Sequence, residues 1–141
     1  MTRHSTWEAD LNAYLAQHRR SEFQWGSLDC GLFFAGACEA MTGFDPGEPF
    51  RGKYTTELGA AKVLKKHGAG DLESTLDGLF EVIEPGFVQR GDGVWNGENV
   101  GVSVGAYALM IGEDRDEEGN VVRTGLIRIP RAEWLKGWRV G

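Results

Sequence analysis

The stretch Phe23-Gln24-Trp25-Gly26-Ser27-Leu28-Asp29-Cys30-Gly31, running directly into Leu32-Phe33-Phe34-Ala35-Gly36-Ala37-Cys38, constrains this chain more than any other. Its second half is apolar on nearly every side, as a helix buried at a domain centre must be. Asp29 suits the N-cap, because its carboxylate can accept from the free N–H groups of a first turn, and this puts Cys30 at the first helical position. The positive end of a helix favours thiolate over thiol, so a rigidly mounted candidate nucleophile is expected. The alternative is an inert thiol: free cysteines are among the most buried residues, and one becomes chemistry only with a base beside it. Thr42-Gly43 should stop the helix just after Met41.

Around this centre the period of the apolar residues assigns the other elements. Trp7, Leu11, Tyr14, Leu15 and His18 recur at helical spacing, and Ser5 with Glu8 makes a capping-box signature, so a helix is expected from about Thr6 to His18. A third helix should start at Thr55 or Thr56 and end near His67-Gly68, and a short fourth should run from Asp71 to Leu79. Phe44-Asp45-Pro46-Gly47-Glu48-Pro49 must be loop. From Phe80 the period becomes that of strands: Phe80 to Ile83, Gly93 to Trp95, a turn at Asn96-Gly97, then alternating Val100, Val102 and Val104. Tyr107 to Ile111 and Val121 to Ile129 read as a hairpin around an acidic turn, and Pro130 to Trp134 as a short helical turn before the end. Helices first and an antiparallel sheet after is the α+β order, here in one domain spanning residues 1–141.

The charge and cysteine pattern removes several classes of function. A net charge of −6 gives no general attraction to phosphate backbones, so nucleic acid is not an expected partner. No apolar run is long enough for membrane insertion, and the first residues lead into an amphipathic helix instead of a signal-peptide core, so residence in the cytoplasm where the chain is made is expected. Cys30 and Cys38 lie eight residues apart, about 12 Å along a helix, too far for a disulfide. Three histidines without a close Cys or His pair support no metal site, and no motif calls for a cofactor. Glu113 to Glu118 reads as a solvated acidic turn. Arg123, Arg128, Arg131, Lys136 and Arg139 make the end basic, either as a docking surface with Trp134 and Trp138 as anchors or as charge balance, with Trp138 closing the core.

Trp25-Gly26-Ser27-Leu28-Asp29-Cys30-Gly31 resembles the nucleophile motif of the NlpC-type murein endopeptidases, which are papain-like cysteine peptidases. Arg90-Gly91-Asp92-Gly93-Val94-Trp95 resembles the Gly-Asp opening of their first core strand, and Asn99-Val100-Gly101-Val102-Ser103-Val104-Gly105 their second. Nearly the whole chain is similar to a family of small phage and prophage tail proteins encoded near the tail tip. That match rests on Phe23 to Cys30, Met41-Thr42-Gly43-Phe44-Asp45-Pro46, Arg51-Gly52-Lys53-Tyr54, Gly59-Ala60-Ala61, Arg90-Gly91-Asp92 and Gly137-Trp138-Arg139-Val140-Gly141. The resemblance implies a papain-like NlpC-type fold, with N-terminal helices and a central Cys-bearing helix packed on a C-terminal antiparallel sheet. It also implies a virion location in the tail after assembly in the host cytoplasm, with other tail-tip proteins, and peptidoglycan if active, as partners.

The same resemblance makes Cys30 the nucleophile, Asp29 its N-cap, and Asn99 the residue at the position of the usual base histidine. A carboxamide cannot take the thiol proton. The next polar position falls within Tyr107 to Ile111, where only Tyr107 offers a polar atom. Phe23 stands, next to Trp25, where a tyrosine hydroxyl near the oxyanion is usual. His4, His18 and His67 are the remaining imidazoles. Two functions are therefore expected as alternatives: a structural or assembly component of a phage tail tip or baseplate with a degenerate cysteine-peptidase fold, or an active peptidoglycan endopeptidase that assists genome entry with a base from elsewhere.

Overall fold

The computed structural model describes residues 1–141. Four helices precede most of the sheet: α1 (Trp7–Gln17), α2 (Cys30–Thr42), α3 (Glu57–His67) and α4 (Leu72–Leu79). The caps explain three of the starts, since Asp29, Thr56 and Asp71 each accept from the backbone N–H three residues on. At the far end of α2, Gly43 takes the left-handed conformation, φ 79°, that terminates a helix without a Cβ clash. The capping box expected for α1 is not formed. Thr6, not Ser5, precedes the first helical residue, so Ser5 and Glu8 are out of frame, and the Thr6 hydroxyl donates to Asp10 at 2.8 Å instead.

The sheet comprises β1 (Glu81–Ile83), β2 (Gly93–Trp95), β3 (Val100–Ser103), β4 (Tyr107–Arg115), β5 (Val121–Pro130) and β6 (Lys136–Arg139). All neighbours are antiparallel, in the order β1-β6-β2-β3-β4-β5, so the protein is α+β. The C-terminal end corrects the sequence reading. Instead of a free basic tail, β6 enters the sheet between β1 and β2 and pairs with both. Trp138 is 0% exposed and its indole N–H donates to Asp77 on α4, while Trp134 is 5% exposed and donates to the Ile129 carbonyl. Neither indole is available as a docking anchor. Without β6 both β1 and β2 would present unpaired edges, which is the physical reason for the insertion.

The sheet buries both faces. Against α2 lies the main cluster, with Phe33, Phe34, Val100, Val102, Ile111 and Trp138 at its centre, and α1 adds Leu11 and Leu15. Ile83, Val88, Val94, Ala108, Ile129 and Trp134 form a smaller cluster on the other face. One buried carboxylate ties the two termini to the sheet. Asp92 accepts from the Arg3 guanidinium at 2.9 Å, from the Val140 amide at 3.1 Å and from the Gln89 amide at 2.9 Å. Arg90-Gly91-Asp92 and Val140 thus meet at one knot, although they are far apart in sequence.

Candidate functional site

The mouth of α2 is held by polar contacts that serve Asp29. This carboxylate is 4% exposed and accepts from the Leu32 amide at 3.0 Å, the Gly26 amide at 3.1 Å and the Tyr54 hydroxyl at 2.5 Å. Burial and the neighbouring Asp29 carboxylate push the Tyr54 hydroxyl far above the ordinary tyrosine range, so it remains a proton donor to Asp29. Gly26 has φ +83°, and a Cβ there would lie 1.8 Å from the Tyr54 carbonyl oxygen, so only glycine fits the turn. Gly52 closes the same contact by donating its amide to the Gly26 carbonyl at 2.8 Å.

Residues 45–54 therefore form a strap across the helix mouth, and an ion pair fastens its start. Arg51 reaches both Asp45 oxygens, at 2.8 and 3.2 Å, and the Leu32 carbonyl at 3.3 Å. Burial alone would raise the Asp45 carboxyl, but the Arg51 and Gly47 donors outweigh it and hold it below the ordinary range. Sequence reading found Asp29 only as a helix cap. Its hydroxyl partner Tyr54 comes from 25 residues away, and no local pattern announces that pairing.

Cys30 sits at the first helical position, as the cap predicts, but it is not an activated thiol. Burial pushes it up to about 11 from an ordinary 9.0. The Asp29 carboxylate pushes the same way, and the backbone N–H groups of Val100, Gly31 and Cys30 itself only partly offset the two. Loss of water around Cys30 thus works against the charged form and opposes the thiolate preference expected of a helix start. Cys38, one face further along α2, is completely buried, and both sulfurs are free thiols.

The other candidate residues are distributed around this sulfur without completing a catalytic set. The Val100 amide places the start of β3 at Cys30, and Asn99 is the residue just before that strand. Asn99 itself lines an outer groove with Phe23, Gln24, Trp25, Met110 and Glu113, whereas Cys30 lines an apolar cleft with Leu32, Phe34, Phe50, Leu72 and Leu76. Trp25 lines both, forming part of the wall of each, and Phe23 braces its ring edge-on at 4.9 Å. Tyr107 is elsewhere, stacked under Arg128 and paired with Pro130 near the opposite end of β4.

No histidine lines the cleft of Cys30. His4 lies beside Asp10 and Gly43, at the far end of α2. His18 contacts Ser21 and packs edge-on against Tyr14 and Phe33, and His67 closes α3 beside a surface hollow that adjoins the Cys30 cleft at Pro46, Phe50, Thr75 and Leu79. No three His, Cys, Asp or Glu side chains converge as a metal site would require. No helix is long and apolar enough to cross a membrane.

Fold and site together define an α+β protein whose central helix starts at a buried free cysteine in an apolar cleft, with a strap of polar contacts fixing the helix mouth. The chain belongs to the family described as a domain of unknown function (DUF6950), which matches residues 2–140. No curated protein and no solved structure matches the chain.

Proposed function

We propose that this protein is a structural or assembly component of a phage tail tip, built on a papain-like NlpC-type fold that has lost its chemistry. The observation that carries the non-catalytic part is Cys30: a buried thiol pushed up to about 11, in an apolar cleft that no imidazole lines. A thiol-dependent amidase needs a base within hydrogen-bond reach, and losing one typically costs about two to four orders of magnitude in rate. The motif-like residues support the same reading, because the structure uses them to hold the α2 mouth and the termini. Asp29 takes Tyr54, Asp45 takes Arg51, and Asp92 takes Arg3.

The tail-tip assignment rests on the resemblance of the chain from Phe23 to Gly141, and it implies assembly in the host cytoplasm followed by residence in the virion tail. Other tail-tip proteins are the partners in this reading. The test has two arms. Purified protein should leave cell-wall sacculi intact, and phage carrying Cys30→Ala should remain infectious with the protein still detectable in purified particles. Sacculus digestion that disappears in Cys30→Ala would establish the alternative, an active peptidoglycan endopeptidase. Absence of the protein from purified particles would remove the tail-tip role.

A further inference from the structure

The surface carries two complementary charge clusters without salt-bridge partners on one hairpin, a basic one along its flank and an acidic one at its turn. Arg19, Arg123 and Arg128 line a groove between the end of α1 and the β4–β5 hairpin, with Asn12 and Tyr107 among its other walls and no carboxylate in its lining. All three arginines are exposed, and none takes part in any of the salt bridges of the molecule. Arg123 lies across the ladder from Asp114, yet its guanidinium runs along the strand to the Leu126 carbonyl at 2.9 Å. Arg128 lies over the Tyr107 ring at 4.3 Å, so the groove has a stacked cation on an aromatic floor.

The turn of the hairpin is acidic and projects. β3 pairs with β4 only at Ala108 and Leu109, so the outer part of β4 and its turn extend beyond the sheet. In that turn Glu113 is paired with Arg115, and Asp116 accepts from the Glu118 and Asn120 amides. Asp114, Glu117 and Glu118 have no cation, and Glu117 and Glu118 are exposed. Three unpaired guanidiniums in a chain of net charge −6 and three unpaired carboxylates on a narrow projecting turn are what two faces of one interface would leave open when separated.

We propose that copies of this chain associate head to tail, the acidic turn at residues 114–118 of one copy seating in the groove of Arg19, Arg123 and Arg128 of the next. Such a contact is heterologous, so it closes into a ring or propagates according to the rotation between copies. Arginine forks match carboxylates bidentately, which gives the seating direction as well as attraction. The proposal goes beyond the scaffold reading and holds whether or not Cys30 is inert.

The test is sedimentation of the full chain and of two charge-reversed variants, Arg19→Glu with Arg128→Glu, and Glu117→Arg with Glu118→Arg. The wild type should sediment above its 15.5 kDa monomer at about 100 µM in about 50 mM salt, and weaken roughly tenfold or more in about 500 mM salt. Each variant alone should be monomeric, because its groove and turn then carry the same sign. Mixed in equal amounts, the two should assemble again, since each turn then meets a groove of opposite charge. All four positions are exposed, and circular dichroism confirms that the variants are folded. A wild type that stays monomeric under these conditions overturns the proposal. So does association that the variants leave unchanged, or a mixture of the two variants that remains monomeric.

Discussion

Alkylation of Cys30 reads the state of the helix mouth directly. With the thiol pushed from 9.0 to about 11, its thiolate fraction at pH 7 falls about a hundredfold below that of an ordinary cysteine. A more basic thiolate is also more nucleophilic, by about tenfold for a rise of this size, so titration alone leaves roughly a tenfold deficit. Cover by Trp25 and the surrounding cleft adds a steric deficit to the chemical one. Native protein treated with iodoacetamide at pH 7, with Cys30 and Cys38 followed separately by peptide mapping, should therefore label Cys30 at least about tenfold more slowly than the same chain in denaturant. Trp25→Ala should recover part of the rate by opening the wall, without altering the need for high pH. A native rate at or above that of the unfolded chain, with an inflection below pH 8, would refute the reasoning: it would mean that the helix end and backbone amides outweigh burial and that Cys30 is poised to react.

Three further outcomes follow from other contacts. Because the folded thiol titrates higher than the unfolded one, its contribution to stability is complete below about pH 9 and is lost as pH rises towards 11. Denaturant unfolding at about pH 10.5 should show about 2 kcal/mol less stability from Cys30 alone than at pH 8, and Cys30→Ala should remove that portion of the slope. Asp92→Ala leaves the Arg3 guanidinium and two amides without their acceptor, and should cost about 3–5 kcal/mol by urea denaturation. Gly26→Ala combines a left-handed backbone, costing about 1–2 kcal/mol, with displacement of the Tyr54 carbonyl, so a loss well above that figure is expected in the thermal midpoint.

How far the sequence could be read differs between its local and its distant features. The α2 start was legible because an N-cap acts within four residues, and Asp29 with the apolar run that follows contains the whole signal. The hairpin was legible from its alternation, and β4 extends to Arg115 because the ladder with β5 continues past Ile111 into the acidic turn. β6 was not legible: four residues interrupted by Gly137 show too little alternation, and its pairing partners lie more than 40 residues upstream. The α1 cap was misplaced by one residue, as helix ends commonly are when two hydroxyl residues compete.

The site divides in the same way. That a cysteine stands at a helix mouth and that its neighbour is a capping carboxylate are facts of adjacent residues, and the sequence by itself determined them. Whether the sulfur is charged was decided only by the tertiary structure, because desolvation is the sum of everything packed around an atom and the helix terminus supplies one small part of it. The same holds for the strap at Tyr54 and Arg51 and for Trp138, which the sequence left open as either a docking anchor or a core residue and the sheet placed in the core. Local chemistry is written in short spacings; burial is a property of the whole fold, and here burial decides what the chemistry can do.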